Sequence, residues 1–334
     1  MRPDLSILIV NWNTRELLRD CLVSVRRGLR SAEISAEVLV VDNGSRDGSI
    51  QMMKEQFPDA VLIANSDNRG FARANNQALE RASGRHVLLL NSDTIVHADV
   101  LARSVEYLDG HHDVGGMGCR VLNEDGSLQV STSVHPGLWS LLGMTLGRGH
   151  LGNQVLPGGR GGAGAGWHEL DSEVLSGCYL MVRREVLGQV GLLDPGFFFF
   201  GEETDWCLRI RSAGWRLVFA PVGEITHLGG GSAKRLGGRR DLLLTGALIR
   251  LQRKHGGRVR ALAMWSLLLA FNASRALYWR AVAAVRRDRV ALDRSRHFME
   301  VLAGYSRVWG IAADAIAGAA ELDARTLARA KVTV

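Results

Sequence analysis

Ahead of Asp93, four short apolar runs alternate with amphipathic stretches, and no other feature constrains the fold as tightly. The runs are LSILIV (Leu5 to Val10), EVLVV before Asp42, AVLIAN, and HVLLLNSD ending at Asp93. None shows the polar alternation of a half-exposed strand, so they read as strands of a parallel sheet covered on both faces. Between them, residues 15–30 carry Leu17, Leu18, Cys21, Leu22 and Val25 on a 3.6-residue stripe. SIQMMKEQF and GFARANNQALERA read as two further helices, the second ended by Gly84. Alternating strands and helices predict an α/β fold, with ligands beyond the carboxyl ends of the strands. Asp42 and Asp93 both close such strands. An aspartate there also serves as a turn cap, but its repetition favours a shared crevice.

From Val114 the pattern changes. GCRVLNEDGSLQVST reads as a hairpin with an Asp-Gly turn. GLWSLLGMTLG is apolar but interrupted by glycine, and Gly158–Gly166 is rich enough in glycine to predict a mobile loop. LSGCYLMVRREVLGQVG returns to strand and short helix, and EETDWCLRIRSAGW to a helix stopped by Gly214. RLVFAP and EITHLGGGS read as two strands, the second bearing His227. Beyond Asp241 the chain is mostly helical. Between Arg250 and Arg296 twelve Lys and Arg face two acids, Asp288 and Asp293. These helices either pack on the preceding domain or lie in a membrane interface, where Trp, Tyr and a basic flank suit anionic headgroups. Asn272, Ser274 and Arg275 interrupt the apolar run and argue against a simple span.

Composition excludes some classes. An apolar fraction of 46% over 334 residues describes a packed protein with ample core. The four cysteines form no CxxC pair and sit among apolar residues, which predicts buried thiols in a reducing compartment. MRPDLSILIV lacks a signal-peptide pattern, so secretion is not expected. The basic tail interleaves arginine with Leu, Ala and Trp and has no reading motif, so nucleic acid is not expected as partner. No serine nucleophile elbow, phosphate loop or dinucleotide glycine fingerprint occurs, which removes serine hydrolases and Rossmann oxidoreductases. Asp42, Asn43, Asp93, Glu202, Glu203, Asp205 and His227 remain as one candidate constellation. Its Asp and His groups suit Mg2+ or Mn2+, an ion that would neutralise a phosphate-bearing leaving group.

ILIVNWN, VLVVDNGSRDGS, NRGFARANNQAL, LLLNSDT, GCYLMVRREVLGQVGLLDPGFFFFGEETDWCLRIRSAGW and ITHLGGGS occur in that order. Together they resemble the family-2 glycosyltransferases, and more narrowly the bacterial dTDP-rhamnose-dependent rhamnosyltransferases, over roughly Leu5 to Ser232. The resemblance implies a GT-A fold: a Rossmann-like, mostly parallel central sheet flanked by helices, with a helical C-terminal extension. Residues 1–240 would form the catalytic domain, its nucleotide half ending near 113, and 241–334 the helical region. It further implies inverting transfer of rhamnose from dTDP-rhamnose to a glycan or polyprenyl-diphosphate-linked acceptor, in cell-wall or surface-polysaccharide assembly. Another hexosyl or galactofuranosyl transfer, or a catalytically weak nucleotide-sugar-binding scaffold, stays open.

By position, Asp42 matches the acid that meets the nucleotide base, with Asn11, Asn13 and Asn43 framing the pocket. Asn68, Arg69 and Gly70 fall in a donor-binding block. Asn91, Ser92 and Asp93 match the Asp-x-Asp metal motif with its first acid replaced by Asn. Asp93 and His227 are then the expected ligands of Mg2+ or Mn2+, and Asn91 and Ser92 donor contacts. Glu203 matches the general base, Glu standing for Asp, with Glu202 and Asp205 as alternatives. Trp206 or the run Phe197 to Phe200 would wall the sugar methyl. An extended phenylalanine run would point two rings into the core and two toward the acceptor. The resemblance places the protein at the cytoplasmic membrane face as a peripheral protein, and leaves a homo-oligomer open.

Overall fold

The computed structural model describes residues 2–30, 32–135, 137–145, 168–229 and 239–313. The stretch Gly158–Gly166, the residues Gly230 to Ser232 and the tail 314–334 lie outside the described residues. Chain contacts divide the protein into two units. Residues 2–30, 32–135, 168–194 and 202–229 form the first, and 137–145, 195–201 and 239–313 the second. Two segments ahead of residue 240 therefore group with the C-terminal helices, an exchange that the expected division at 240 lacks.

The first unit opens with β1 (Leu5–Asn11), α1 (Arg15–Arg30), β2 (Ala36–Asn43), α2 (Ser49–Gln56), β3 (Val61–Asn65), α3 (Phe71–Arg81) and β4 (His86–Asn91). It continues with β5 (Thr94–Val96), α4 (Val100–Gly110), β6 (Val114–Leu122), β7 (Leu128–Gln129) and β8 (Thr132–Ser133). In the second unit, α5 spans Leu138–Thr145. The first unit resumes with β9 (Leu170–Asp171), β10 (Val174–Leu175), β11 (Tyr179–Arg183), α6 (Arg184–Val190), α7 (Glu202–Ser212) and β12 (Arg216–His227).

One sheet runs in the order β3-β2-β1-β4-β11-β6-β12-β5, with β7 on β6 and β9 on β12, and β10 pairs β8 separately. The four opening strands are mutually parallel, whereas β11 runs antiparallel to both β4 and β6. The sheet is therefore mixed, parallel across its four N-terminal strands, and the GT-A-like architecture expected from the sequence holds. Side chains of β1 explain the two covered faces. Ile7 and Ile9 join Met52 of α2 and Leu101 of α4, while Leu8 joins Leu79 of α3 and Trp206 of α7. Alternate positions of one strand thus feed two dry layers.

Three elements differ from expectation. RLVFAP and EITH are one strand, β12, whose register against β6 breaks between Phe219 and Glu224. Pro221 lies inside that break, where a residue with no N–H costs no ladder bond. The short β5 and the helix α4 had no counterpart in the sequence reading. The phenylalanine run is not an extended strand. Phe200 adopts φ +71, a strained conformation for a bulky residue, and only Phe197 is fully buried. Within the second unit Phe197 packs on Ala247 and Leu251, with Arg250 over its ring at 5.2 Å.

The second unit also holds α8 (Arg239–Arg286), α9 (Arg289–Ala303) and α10 (Tyr305–Ala313). Gly257, at φ 82 and ψ 178, breaks α8 into the two helices the sequence predicts. Leu242, Ile249, Met264, Leu268, Val301 and Val308 form its core. All four cysteines are free and buried. Burial pushes the thiols up, Cys21 to about 12 and Cys178 to about 11.

Candidate active site

The carboxyl ends of β1, β2 and β4 carry the polar residues of the first unit. Asn13 takes φ +54, a left-handed turn that asparagine tolerates, and its side-chain oxygen accepts the Arg46 N–H at 2.7 Å. Asp42 is enclosed. Its Oδ1 accepts the Ser45 N–H at 2.8 Å and its Oδ2 accepts the Asn11 amide at 2.8 Å. The carboxylate therefore first holds the DNGS turn in place. Gly44 has φ +80 there, and a Cβ would lie 2.8 Å from the Asp67 backbone, so only glycine fits.

Asn43 joins the second donor block. Its amide donates to Asn68 Oδ1 at 2.8 Å, and its Oδ1 accepts the Arg69 N–H at 3.0 Å. Gly70 N–H donates to Asn68 at 3.0 Å. The Arg69 side chain stands exposed at the rim. Asn65 and Gln77 extend this amide network, which the sequence reading did not single out.

Thr14 connects β1 to the metal motif. Its hydroxyl donates to Asn11 Oδ1 at 2.7 Å and lies 3.1 Å from the buried Ser92 hydroxyl. Asp93 and His227, far apart in the chain, are brought together by strand pairing. β12 runs antiparallel to β5 with His227 opposite Thr94, and Leu228 N–H donates to the Asp93 carbonyl at 2.9 Å. His227 Nε2 then sits 3.2 Å from Asp93 Oδ1 and 3.3 Å from the Asn91 amide. Its Nδ1 lies 3.0 Å from Gln129 Oε1, and with Nδ1 donating there the Nε2 lone pair is left for a cation in the crevice. Sequence reasoning missed Gln129, because its role arises only when the DG hairpin folds β7 onto β6.

The acids that open α7 are sorted by burial. Glu202 is 4% exposed and Asp205 0%, and Asp205 pairs with Arg209 at 2.9 Å. Asp205 is thus committed inside the helix, and its role as an alternative base is withdrawn. Glu203 alone is half-buried. Its Cβ would lie 3.6 Å from a Cβ placed on Gly177, in the turn before β11. The next residue of that turn, Cys178, accepts the Asn91 N–H at 3.2 Å, which ties Glu203 to the metal motif. Trp206 does not line the crevice. It is fully buried in the core below the sheet and its indole N–H donates to the Gly191 carbonyl at 3.0 Å. A side chain with no open face cannot wall a sugar, so that role too is withdrawn.

Asp93 Oδ1 and His227 Nε2 are two converging donors suited to a divalent cation that completes its shell with substrate oxygens and water. Among the described residues no group of three or more His, Cys, Asp or Glu converges as a metal cage. A mixed sheet of this order, with acids, amides and a histidine at its carboxyl edge, defines a GT-A-type transferase of nucleotide sugars. Residues 3–244 match the family model "Glycosyltransferase like family 2", and the chain belongs to that family.

Among curated proteins, the chain is 26% identical over 228 residues to the N-acetylglucosaminyl-diphospho-decaprenol L-rhamnosyltransferase of Mycobacterium tuberculosis. That match covers 61% of this chain and 71% of the relative. It is 28% identical over 234 residues to the low-salt glycan biosynthesis hexosyltransferase Agl10 of Haloferax volcanii, covering 68% of each. Among solved structures, the mannosyltransferase PcManGT of Pyrobaculum calidifontis, in complex with GDP-Man and Mn2+, aligns with TM-score 0.54 at 18% identity. It covers 93% of this chain and 88% of that one, a likeness of fold.

Proposed function

We propose that the protein transfers rhamnose, with inversion, from dTDP-rhamnose to a glycan or polyprenyl-diphosphate-linked acceptor in cell-wall or surface-polysaccharide assembly. The donor assignment draws on the rhamnosyltransferase relative from M. tuberculosis. The observation that supports the chemistry is the Asp93–His227 pair at 3.2 Å, with Glu203 beside the Gly177 turn whose Cys178 carbonyl accepts the Asn91 N–H. The base is received at the ends of β1 and β2, where Asn11 and Asp42 hold the Asn13–Ser45 turn. Asp42 has no exposed surface, so its part is to shape that turn, and a base reaches its carboxylate only when the turn moves aside. Asp93 and His227 would hold Mg2+ or Mn2+, which when bound neutralises the diphosphate leaving group. Glu203 accepts the proton of the acceptor hydroxyl as that oxygen attacks. It is the acid of the three with open surface.

A donor screen across dTDP- and UDP-sugars with Mg2+ and Mn2+ tests this reading. dTDP-rhamnose is expected to support the fastest transfer. A faster UDP-hexose or UDP-galactofuranose would move the reading to that sugar, and turnover of no donor would favour a binding role. Glu203→Gln is expected to lower kcat by about 100-fold or more while sparing donor affinity. Retained turnover would move the base elsewhere.

A further inference from the structure

From Leu242 to Arg287 the chain contains no Asp or Glu, and nine Lys and Arg. After the break at Gly257, α8 has a buried face formed by Ala261, Met264, Leu268, Asn272 and Ala276. The opposite face is exposed and uncharged from Val259 through Leu262, Ser266 and Ala270 to Leu277, and Arg280 shares its edge just beyond. At 100° per residue these positions fall within an arc of about 100°, in an uncharged stripe roughly 30 Å long. Val259 is 80% exposed, Leu262 52% and Leu277 69%, so the stripe is open to its surroundings.

The charges are placed at its ends. Between Ala261 and Trp279 the only charged residue is Arg275, whose guanidinium lies over the Phe271 ring at 5.2 Å. Arg258 and Arg260 stand at the start, and Arg280, Arg286, Arg287 and Arg289 at the finish, beside the exposed Tyr278. No helix among the described residues is long and apolar enough to cross a membrane. A second copy is a poor occupant. A two-fold contact apposes the same residues of each chain, and along an acid-free face arginine would meet arginine. An anionic lipid surface meets both needs, with hydrocarbon for the stripe and phosphates for the snorkelling arginines.

We propose that this face of α8 lies in the headgroup region of an anionic lipid surface, with the helix parallel to the membrane. The proposal is independent of the donor and base assignments. Flotation of the full chain with vesicles of phosphatidylcholine, with and without phosphatidylglycerol, tests it. Binding is expected only with the anionic lipid and falls as salt is raised. Leu262→Glu with Leu277→Glu should weaken it about tenfold or more, and Arg280→Gln or Arg286→Gln about fivefold each. The substituted side chains are exposed, so circular dichroism should be unchanged. Equal binding to neutral vesicles, no binding to either, or no effect of the glutamates overturns the proposal. So does a lipid-free dimer, seen by light scattering, that Leu277→Glu disperses, because it assigns the face to a second copy.

Discussion

His227 offers the crevice one ring nitrogen because Gln129 occupies the other. A histidine ligand gains basicity and a fixed orientation from the acceptor on its far side, and losing that acceptor typically costs 10–100-fold in metal affinity. Gln129→Leu should therefore weaken Mn2+ binding by about that factor, measured by calorimetry on the purified protein, and reduce the nitrogen coupling in the Mn2+ paramagnetic resonance spectrum. Gln129→Glu keeps an acceptor at the same reach and should restore both. Unchanged coupling in the leucine variant would mean that Nε2 is oriented by other groups. Asn91, in place of a carboxylate, lies 3.3 Å from the same Nε2 and adds no negative charge.

At the scale of an element, α7 separates a half-buried acid, Glu203, from a fully buried one, Asp205, within three residues. Asp205 has no exposed surface and is matched by Arg209 one turn later. Arg209 also donates to the carbonyls of Val190 and Leu192, clamping the loop before Leu193. Removing one partner of a buried pair leaves the other charge uncompensated, so Arg209→Met should destabilise the fold by about 3–5 kcal/mol in denaturant unfolding. A loss below about 1 kcal/mol would place the pair with solvent-screened surface bridges. Strands β1 to β4 and helices α1 to α3 were legible because period and caps are local. Trp206 was legible too: it shares a face with Cys207 and Ile210 at helical spacing, the ordinary mark of core, and chemistry by resemblance overrode that mark. The Asp93–His227 and His227–Gln129 contacts were not derivable from residue pattern. They depend on the register of β12 against β5 and of β7 against β6, which no single-strand periodicity encodes. The phenylalanine run misled for the related reason that composition gives no sign of a left-handed Phe200.

At the scale of the whole molecule, three of the carboxylates held below their ordinary range, Asp4, Glu37 and Asp109, lie around the amino ends of β1, β2 and β4 in the first unit. Asp4 is lowered to about 2 by hydrogen bonds from the Ser35 backbone and hydroxyl and from Arg85. Burial alone would raise Glu37, but Ser6 and Ser83 donate to it and the net shift is downward. Burial likewise opposes, and Arg85 and His86 outweigh it, at Asp109. A carboxylate whose folded pKa is depressed binds fewer protons than in the unfolded chain. Its stabilisation is complete above the unfolded value of about 4 and disappears as pH falls through the folded one. For Asp4 that window runs from about pH 4 to about pH 2. Hydrogen exchange followed across it should show the amides of β1, β2 and β4 losing protection together. Asp4→Asn should lower stability near neutral pH and flatten the acid limb, because the protonation it mimics has already taken place. An acid limb of unchanged slope in Asp4→Asn would mean that other carboxylates govern acid unfolding and that the Ser35–Arg85 cage does not.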